Sequence, residues 1–234
     1  MSKGELYLIP NLLGGGDPKN YFGEEVFKTI KRINHYIVES EKNARRYLIK
    51  LGIETAIDDL TFFVLNKHTN VNELSTFIKP LEDGFDVGLI SDAGCPGVAD
   101  PGSEIVQMAH TRKILVRPLV GPSSILLGLM ASGFNGQSFA FHGYLPHDKT
   151  ERGKRLKQME VRAKQEKQTQ LFIETPFRND KLIPELANIL NKDTMLCIAA
   201  DLTLDTETIV TKSIGEWKKS KMSFHKRPAL FLFF

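Results

Sequence analysis

Cysteine is nearly absent from this sequence. Two in 234 residues, Cys95 and Cys197, cannot build a disulfide framework, and no CxxC pair or Cys/His cluster has zinc spacing. The six histidines, His35, His68, His110, His142, His147 and His225, are scattered, with no metal-ligand spacing and no nucleophile beside them. Long apolar runs are missing too: nothing reaches the ~18 residues that signal a membrane span. The opening MSKGELYLIPN has too short an apolar core for a secretory signal, and the apolar Ala229–Phe234 is only strand-length. These absences point to a cytoplasmic protein with no metal and no membrane partner. Phosphate-cradling loops are lacking as well. Leu12-Leu13-Gly14-Gly15-Gly16-Asp17 would need glycine at Lys19 to complete GxGxxG, and there is no GxxxxGK[ST]. Net charge is only +3, too small by itself to name a partner.

What remains is a globular composition, 41% hydrophobic and 25% charged. The length suffices for a substantial core, as one domain or two of modest size. The stretch Gly88–Gly102, GLISDAGCPGVADPG, organises the chain. It follows a short buried strand, Phe85–Ile90. Asp100 is placed to cap a helix beginning at Pro101, with Ile105, Val106 and Ala109 as its apolar face. Gly94, Pro96 and Gly97 let the backbone approach a ligand and stiffen the loop that does so. Loops at the carboxyl ends of strands in open α/β sheets are where ligands bind.

Elsewhere the periodicities predict strands at Glu5–Pro10, Ile33–Val38 and Ile114–Val116, and helices at Glu24–Ile30, Glu41–Lys50 and Val71–Leu81. Alternating strands and helices argue for a parallel sheet. Arg117–Pro122, with two prolines and a glycine, reads as a connection, giving an N-terminal α/β domain over 1–119 and a C-terminal one over 120–234. In the second, a helix runs through Met130, a strand lies near Ser138–Phe141, and a long polar helix follows Pro146. Strands follow at Gln170–Ile173 and Met195–Ala199; two more, Glu207–Lys212 and Ala229–Phe234, lack room for a long helix between them, so this sheet is expected to be mixed.

Ser91-Asp92-Ala93-Gly94-Cys95-Pro96 followed by Ala99-Asp100-Pro101-Gly102 resembles the signature of the tetrapyrrole methylase superfamily, the class III S-adenosylmethionine-dependent methyltransferases. The resemblance is strongest to the branch that methylates a ribose 2′-hydroxyl in 16S ribosomal RNA, with Cys95 in place of threonine. Gly121-Pro122-Ser123-Ser124, Gly143-Tyr144-Leu145-Pro146, Glu174-Thr175-Pro176-Phe177-Arg178 and Ala199-Ala200-Asp201-Leu202-Thr203 continue it in order. Departures exist. Of the branch's AEDTR only Glu39 is kept, its YHEHNE segment is replaced by Phe62–Lys67 with only Asn66 retained, and Asn11 and Gly15 depart from its first loop. The branch's small C-terminal helical domain is not expected here.

The resemblance implies two α/β domains with S-adenosylmethionine in the cleft between them, in a homodimer. It implies Ala93, Gly94 and Cys95 lining the cofactor, Val98 and Ala99 offering N–H groups to its carboxylate, and Ser123 and Ser124 supporting the same anion. Glu174, Ala200, Pro228 and Ala229 would reach the adenosine. No catalytic base is assigned; Asp17, Glu39 and Asp92 are candidates at expected strand ends. From Lys149 to Lys167 eight Lys/Arg and three Glu give +5 on a chain whose total is +3, leaving −2 for the rest. Such a segment reads as a phosphate-binding face through Lys149, Arg152 and Arg155, or as a solvated helix on a thin stripe of Leu156, Met159 and Ala163. The resemblance implies ribosomal RNA as the substrate, a reading this segment fits. The alternatives are a small, tetrapyrrole-like acid, or a non-catalytic cofactor-binding or ribosome-associated relative.

Overall fold

The computed structural model describes residues 2–234. The chain divides into two compact units, Met1–Ser123 and Ser124–Phe234. No helix among the described residues is long and apolar enough to cross a membrane.

In the first unit, strands β1 (Leu6–Leu8), β2 (His35–Val38), β3 (Thr61–Val64), β4 (Val87–Ile90) and β5 (Val116–Pro118) pair in the order β3-β2-β4-β1-β5, all parallel. Helices α1 (Glu24–Ile30), α2 (Glu41–Leu51), α3 (Leu74–Glu82) and α4 (Ser103–Thr111) cover both faces. The period of two sorts the core. Tyr7, Tyr36, Val38 and Ile90 pack with Val26, Ile30 and Leu48 of α1 and α2. Leu6, Ile37, Val87 and Leu89 pack with Phe77, Ile78, Ile105 and Ala109 of α3 and α4. Gly88 makes room at the centre, since a Cβ there would stand 2.7 Å from Ile9 Cδ1 and 2.9 Å from the Tyr36 ring.

This order fixes where a ligand can enter. Strands β1 and β4 are neighbours, yet α1 after β1 packs on one face and α4 after β4 on the other. Their carboxyl ends therefore open a crevice at a topological switch point.

The second unit holds α5 (Ser124–Ser132), β6 (Phe139–Tyr144), α6 (Lys149–Glu166), β7 (Thr169–Ile173), α7 (Asn179–Ile189), β8 (Met195–Ala200), β9 (Thr208–Ser213), α8 (Ile214–Trp217) and β10 (Ala229–Phe233). The sheet runs β6-β7-β10-β8-β9 and is mixed as expected, with β6 and β7 parallel and the other pairs antiparallel. Leu156, Met159 and Ala163 of α6 join Leu182 and Leu186 of α7, Trp217 and Phe224 against Phe172, Ile198 and Phe231. On the opposite face α5 approaches so closely that a Cβ on Gly128 would lie 2.5 Å from Leu230 Cδ2.

Several boundaries differ from the expectations. Helix α4 starts at Ser103 with Gly102 as its capping residue, so Asp100 and Pro101 belong to the loop. Strand β5 lies two residues later than predicted. The predicted helix at Val71 opens as a 3-10 turn before α3. Helix α7 lies where the sequence pattern predicts none, because Pro176 and Pro184 interrupt the periodicity that its buried Leu182, Ile183 and Leu186 would otherwise show.

Candidate active site

The loops after β1 and β4 are tied together in the crevice of the first unit. Asn11 N–H donates to Gly94 O at 2.8 Å, and its side-chain amide donates to Ser91 O at 2.9 Å and Asp92 O at 3.1 Å. Its Oδ1 accepts from Leu12 N at 2.7 Å, so both side-chain donors and the side-chain acceptor serve these loops. The residue that departs from the expected family pattern is thus the clamp. Gly94 is buried at φ +67, a conformation costly to any residue with a Cβ. Cys95 is half-buried, with Sγ 3.6 Å from Pro122 O, and burial raises its thiol pKa. A low-pKa nucleophile is therefore not built here. Ala93, Val98 and Ala99 are exposed on the same loop.

Two backbone donors expected to act together are not equivalent. Val98 N–H already donates to Cys95 O at 3.2 Å, closing a turn, so its role toward a carboxylate is withdrawn. Ala99, at φ +62, keeps its N–H without a partner among the described residues.

Of the three candidate bases, two come together. Glu39 after β2 reaches Asp92 N at 3.4 Å, and Asp92 Oδ2 accepts from Asn43 Nδ2 at 2.8 Å. Asp17 does not join them. It lies in the long loop after β1 and caps a 3-10 turn by accepting from Lys19 N at 3.0 Å. The sequence reading missed Asp100, which it used as a helix cap. Burial first, then the Glu39 charge, push the Asp100 carboxyl up to about 6, with Asp92 adding to the rise and a Ser91 hydrogen bond opposing it. A carboxyl that changes charge near pH 6 is suited to moving a proton.

In the second unit the strand ends gather four of the expected residues. Glu174 follows Ile173, which pairs with Leu230; Ala229 pairs with Ala200; and Asp201 N–H donates to Pro228 O at 2.9 Å. All four therefore lie at one end of β7, β10 and β8. The Glu174 side chain is 1% exposed, its Oε1 accepts from Thr175 N at 2.8 Å, and its Oε2 has no hydrogen-bond partner. Arg178 Nη2 stands 3.3 Å from that oxygen, giving charge compensation without a hydrogen bond. Ser124 opens α5, and Ser123 precedes it.

No family model matches the chain. A ribosomal RNA small subunit methyltransferase I from Halalkalibacterium halodurans is 30% identical over 215 residues, 92% of this chain and 70% of the relative. The protein of the same name from Escherichia coli O157:H7 is 28% identical over 215 residues, 92% of this chain and 71% of the relative. The chain belongs to the ribosomal RNA small subunit methyltransferase I family. Solved tetrapyrrole-type methyltransferases share the family's fold. The methyltransferase CobJ superposes with a TM-score of 0.64 at 14% identity, covering 98% of this chain and 93% of that one. The cobalt precorrin-4 methyltransferase CbiF gives 0.62 at 14% identity, covering 98% and 94%. At such identities these likenesses speak for the fold alone.

This member of the methyltransferase I family divides its basic segment between structure and surface. Arg152 is buried in the second unit, pairing with Glu185 through Nε–Oε1 and Nη2–Oε2 at 2.9 Å each and donating to Pro146 O and His147 O at 2.8 Å. It is a structural arginine, and its expected phosphate contact is withdrawn. Arg155 is half-buried and donates to His142 Nδ1 at 3.0 Å, which fixes the neutral imidazole with its proton on Nε2, facing Gln170 Oε1 at 2.7 Å. Burial accordingly lowers the His142 pKa. Lys157 pairs with Glu160 at 3.2 Å. Lys149, Lys154, Arg162, Lys164 and Lys167 remain exposed, with no carboxylate within ion-pair distance among the described residues.

Proposed function

We propose that this methyltransferase uses S-adenosylmethionine to methylate a ribose 2′-hydroxyl of ribosomal RNA, acting in the cytoplasm as a homodimer. The reading is carried by the 30% identity over 215 residues to a ribosomal RNA small subunit methyltransferase I. The choice of the 2′-hydroxyl rests on the SDAG…ADPG resemblance.

The residues present suit the cofactor. A buried glycine at φ +67, an N–H at Ala99 without a partner among the described residues and a buried Glu174 oxygen that faces Arg178 but accepts no hydrogen bond are features a polar ligand would use. Ala93, Gly94, Cys95 and Ala99 in the first unit would hold it, as would Ser123 and, in the second unit, Ser124, Glu174, Ala200, Pro228 and Ala229. When bound, the cofactor supplies an electrophilic methyl group. The chain's own part is alignment and proton handling. Asp100, ionised at neutral pH, accepts the hydroxyl proton, while burial first, and then Glu39 and Asp92, keep its affinity for that proton high. The exposed Lys154, Arg162 and Lys164 of α6 offer charge to phosphates. Leu126 and Met130 of α5, 53% and 79% exposed, are apolar surface that a second copy would cover.

Incubation with small-subunit ribosomal RNA and methyl-tritiated S-adenosylmethionine tests the reaction. A 2′-O-methyl group blocks alkaline cleavage of the adjoining phosphodiester, so label must appear in alkali-resistant dinucleotides. Label confined to mononucleotides, or none in RNA, overturns the reading. Sedimentation at micromolar concentration should give twice the monomer mass; a monomer overturns the dimer.

A further inference from the structure

The basic helix α6 carries no aromatic residue that could stack a base, but another surface of the second unit does. Phe177 is 64% exposed, in the loop between β7 and α7. Single exposed apolar residues are common and need no explanation. This one is flanked by basic side chains. Lys226 Nζ stands 6.0 Å from its ring centroid, and the His225 ring approaches edge-on at 6.2 Å. The neighbouring Arg178 bonds His147 Nδ1 at 2.7 Å.

The arrangement is fixed by the backbone. Lys226 N–H donates to Pro176 O at 2.9 Å, tying the 225–227 turn to the 174–178 loop, with Lys226 at φ +60. Among the described residues no carboxylate lies within ion-pair distance of Lys226, whereas Arg227 is held by Asp201 at 2.6 Å and Arg178 faces Glu174. With an ammonium over one face and 64% of the residue exposed, the ring can take an unpaired nucleotide: its other face stacks the base, and the ammonium, which has no carboxylate partner among the described residues, meets the phosphate.

We propose that Phe177 and Lys226 bind one unpaired nucleotide of a single-stranded RNA segment, Phe177 stacking its base and Lys226 contacting its phosphate. This rests on the RNA substrate proposed above. Base stacking of this kind makes Phe177→Ala weaken binding roughly five- to 150-fold. Phe177→Tyr retains a stacking face and should bind as wild type does.

The probe is a fluorescein-labelled oligouridine of about a dozen nucleotides, read by anisotropy in the full chain. Lys226→Ala should shallow the dependence of log affinity on log salt by about 0.7. In Phe177→Trp the introduced indole should be quenched by the RNA, while buried Trp217, read in wild type, should not be. Melting temperatures near wild type show that the variants fold. Wild-type binding with no loss in Phe177→Ala and no quenching in Phe177→Trp overturns this site and leaves the RNA reading standing. If wild type binds no RNA at all, the RNA reading fails and this site with it.

Discussion

Arg152 of α6 and Glu185 of α7 pair through two parallel hydrogen bonds, with side chains only 8% and 15% exposed. The guanidinium also satisfies two carbonyls of the loop before α6, so one side chain joins three segments of the second unit. Removing it strands a buried carboxylate. Arg152→Ala should therefore lower stability by about 3 kcal/mol, read as a reduced urea midpoint, whereas exposed Lys154→Ala should stay within about 0.5 kcal/mol of wild type. Equal midpoints for the two variants would make the pair ornamental.

The exposed cations of α6 call for a different measurement. Reversing Lys154, Arg162 and Lys164 to glutamate should flatten the salt dependence of RNA binding, by about 0.7 log unit per log unit of salt for each single-strand phosphate left without its cation. Cofactor affinity should not move. An unchanged RNA slope would mark α6 as a solvated helix.

Gly94 should tolerate no larger side chain. At φ +67, with the Cβ position 3.3 Å from Leu13 Cδ2, Gly94→Val carries a strain of about 1–3 kcal/mol. Calorimetry should show S-adenosylmethionine binding to wild type and none to the folded variant. Undiminished binding would remove this loop from the cofactor site.

Asp100 should set a pH dependence of stability. Its native carboxyl, pushed from 3.8 up to about 6, holds a proton that the unfolded chain has already released between those values. The native state binds the extra proton, so stability falls as pH rises from about 4 to about 6, by about 1–3 kcal/mol given its partial exposure. Above that window the ionised form, facing Glu39 and Asp92, remains the destabilised one. Asp100→Asn should abolish this slope and gain stability at pH 8, while methyl transfer is lost. A retained slope in the variant would point to another group, and retained transfer would take the proton-accepting role from Asp100.

Much of the fold is legible in the sequence alone. Helix α2 can be read because local chemistry marks both ends: Ser40 accepts from Asn43 N, and Gly52 takes the left-handed conformation at its close. The mixed second sheet follows from strands too close together for crossovers. What stays hidden depends on partners distant in sequence. Asp100 reads as an ordinary cap until the fold sets Glu39 beside it. Arg152 looks like any arginine of a basic run until α7, itself masked by Pro184, supplies Glu185. Asn66, kept from a segment otherwise replaced, shapes the turn after β3 by accepting from His68 N at 2.9 Å.

Strand β10 is the last strand in the sequence and the middle strand of its sheet, flanked by β7 and β8. The order of synthesis thus leaves β7 and β8 without the strand that joins them until β10 has emerged. The first unit, complete by residue 123, has no such wait. The strand-end residues Ala200, Pro228 and Ala229 come together only when β10 slots in, so this end of the second sheet forms in one late step. A ribosome-stalled chain ending before Ala229 should then yield a protease-resistant first unit and a readily cleaved second one.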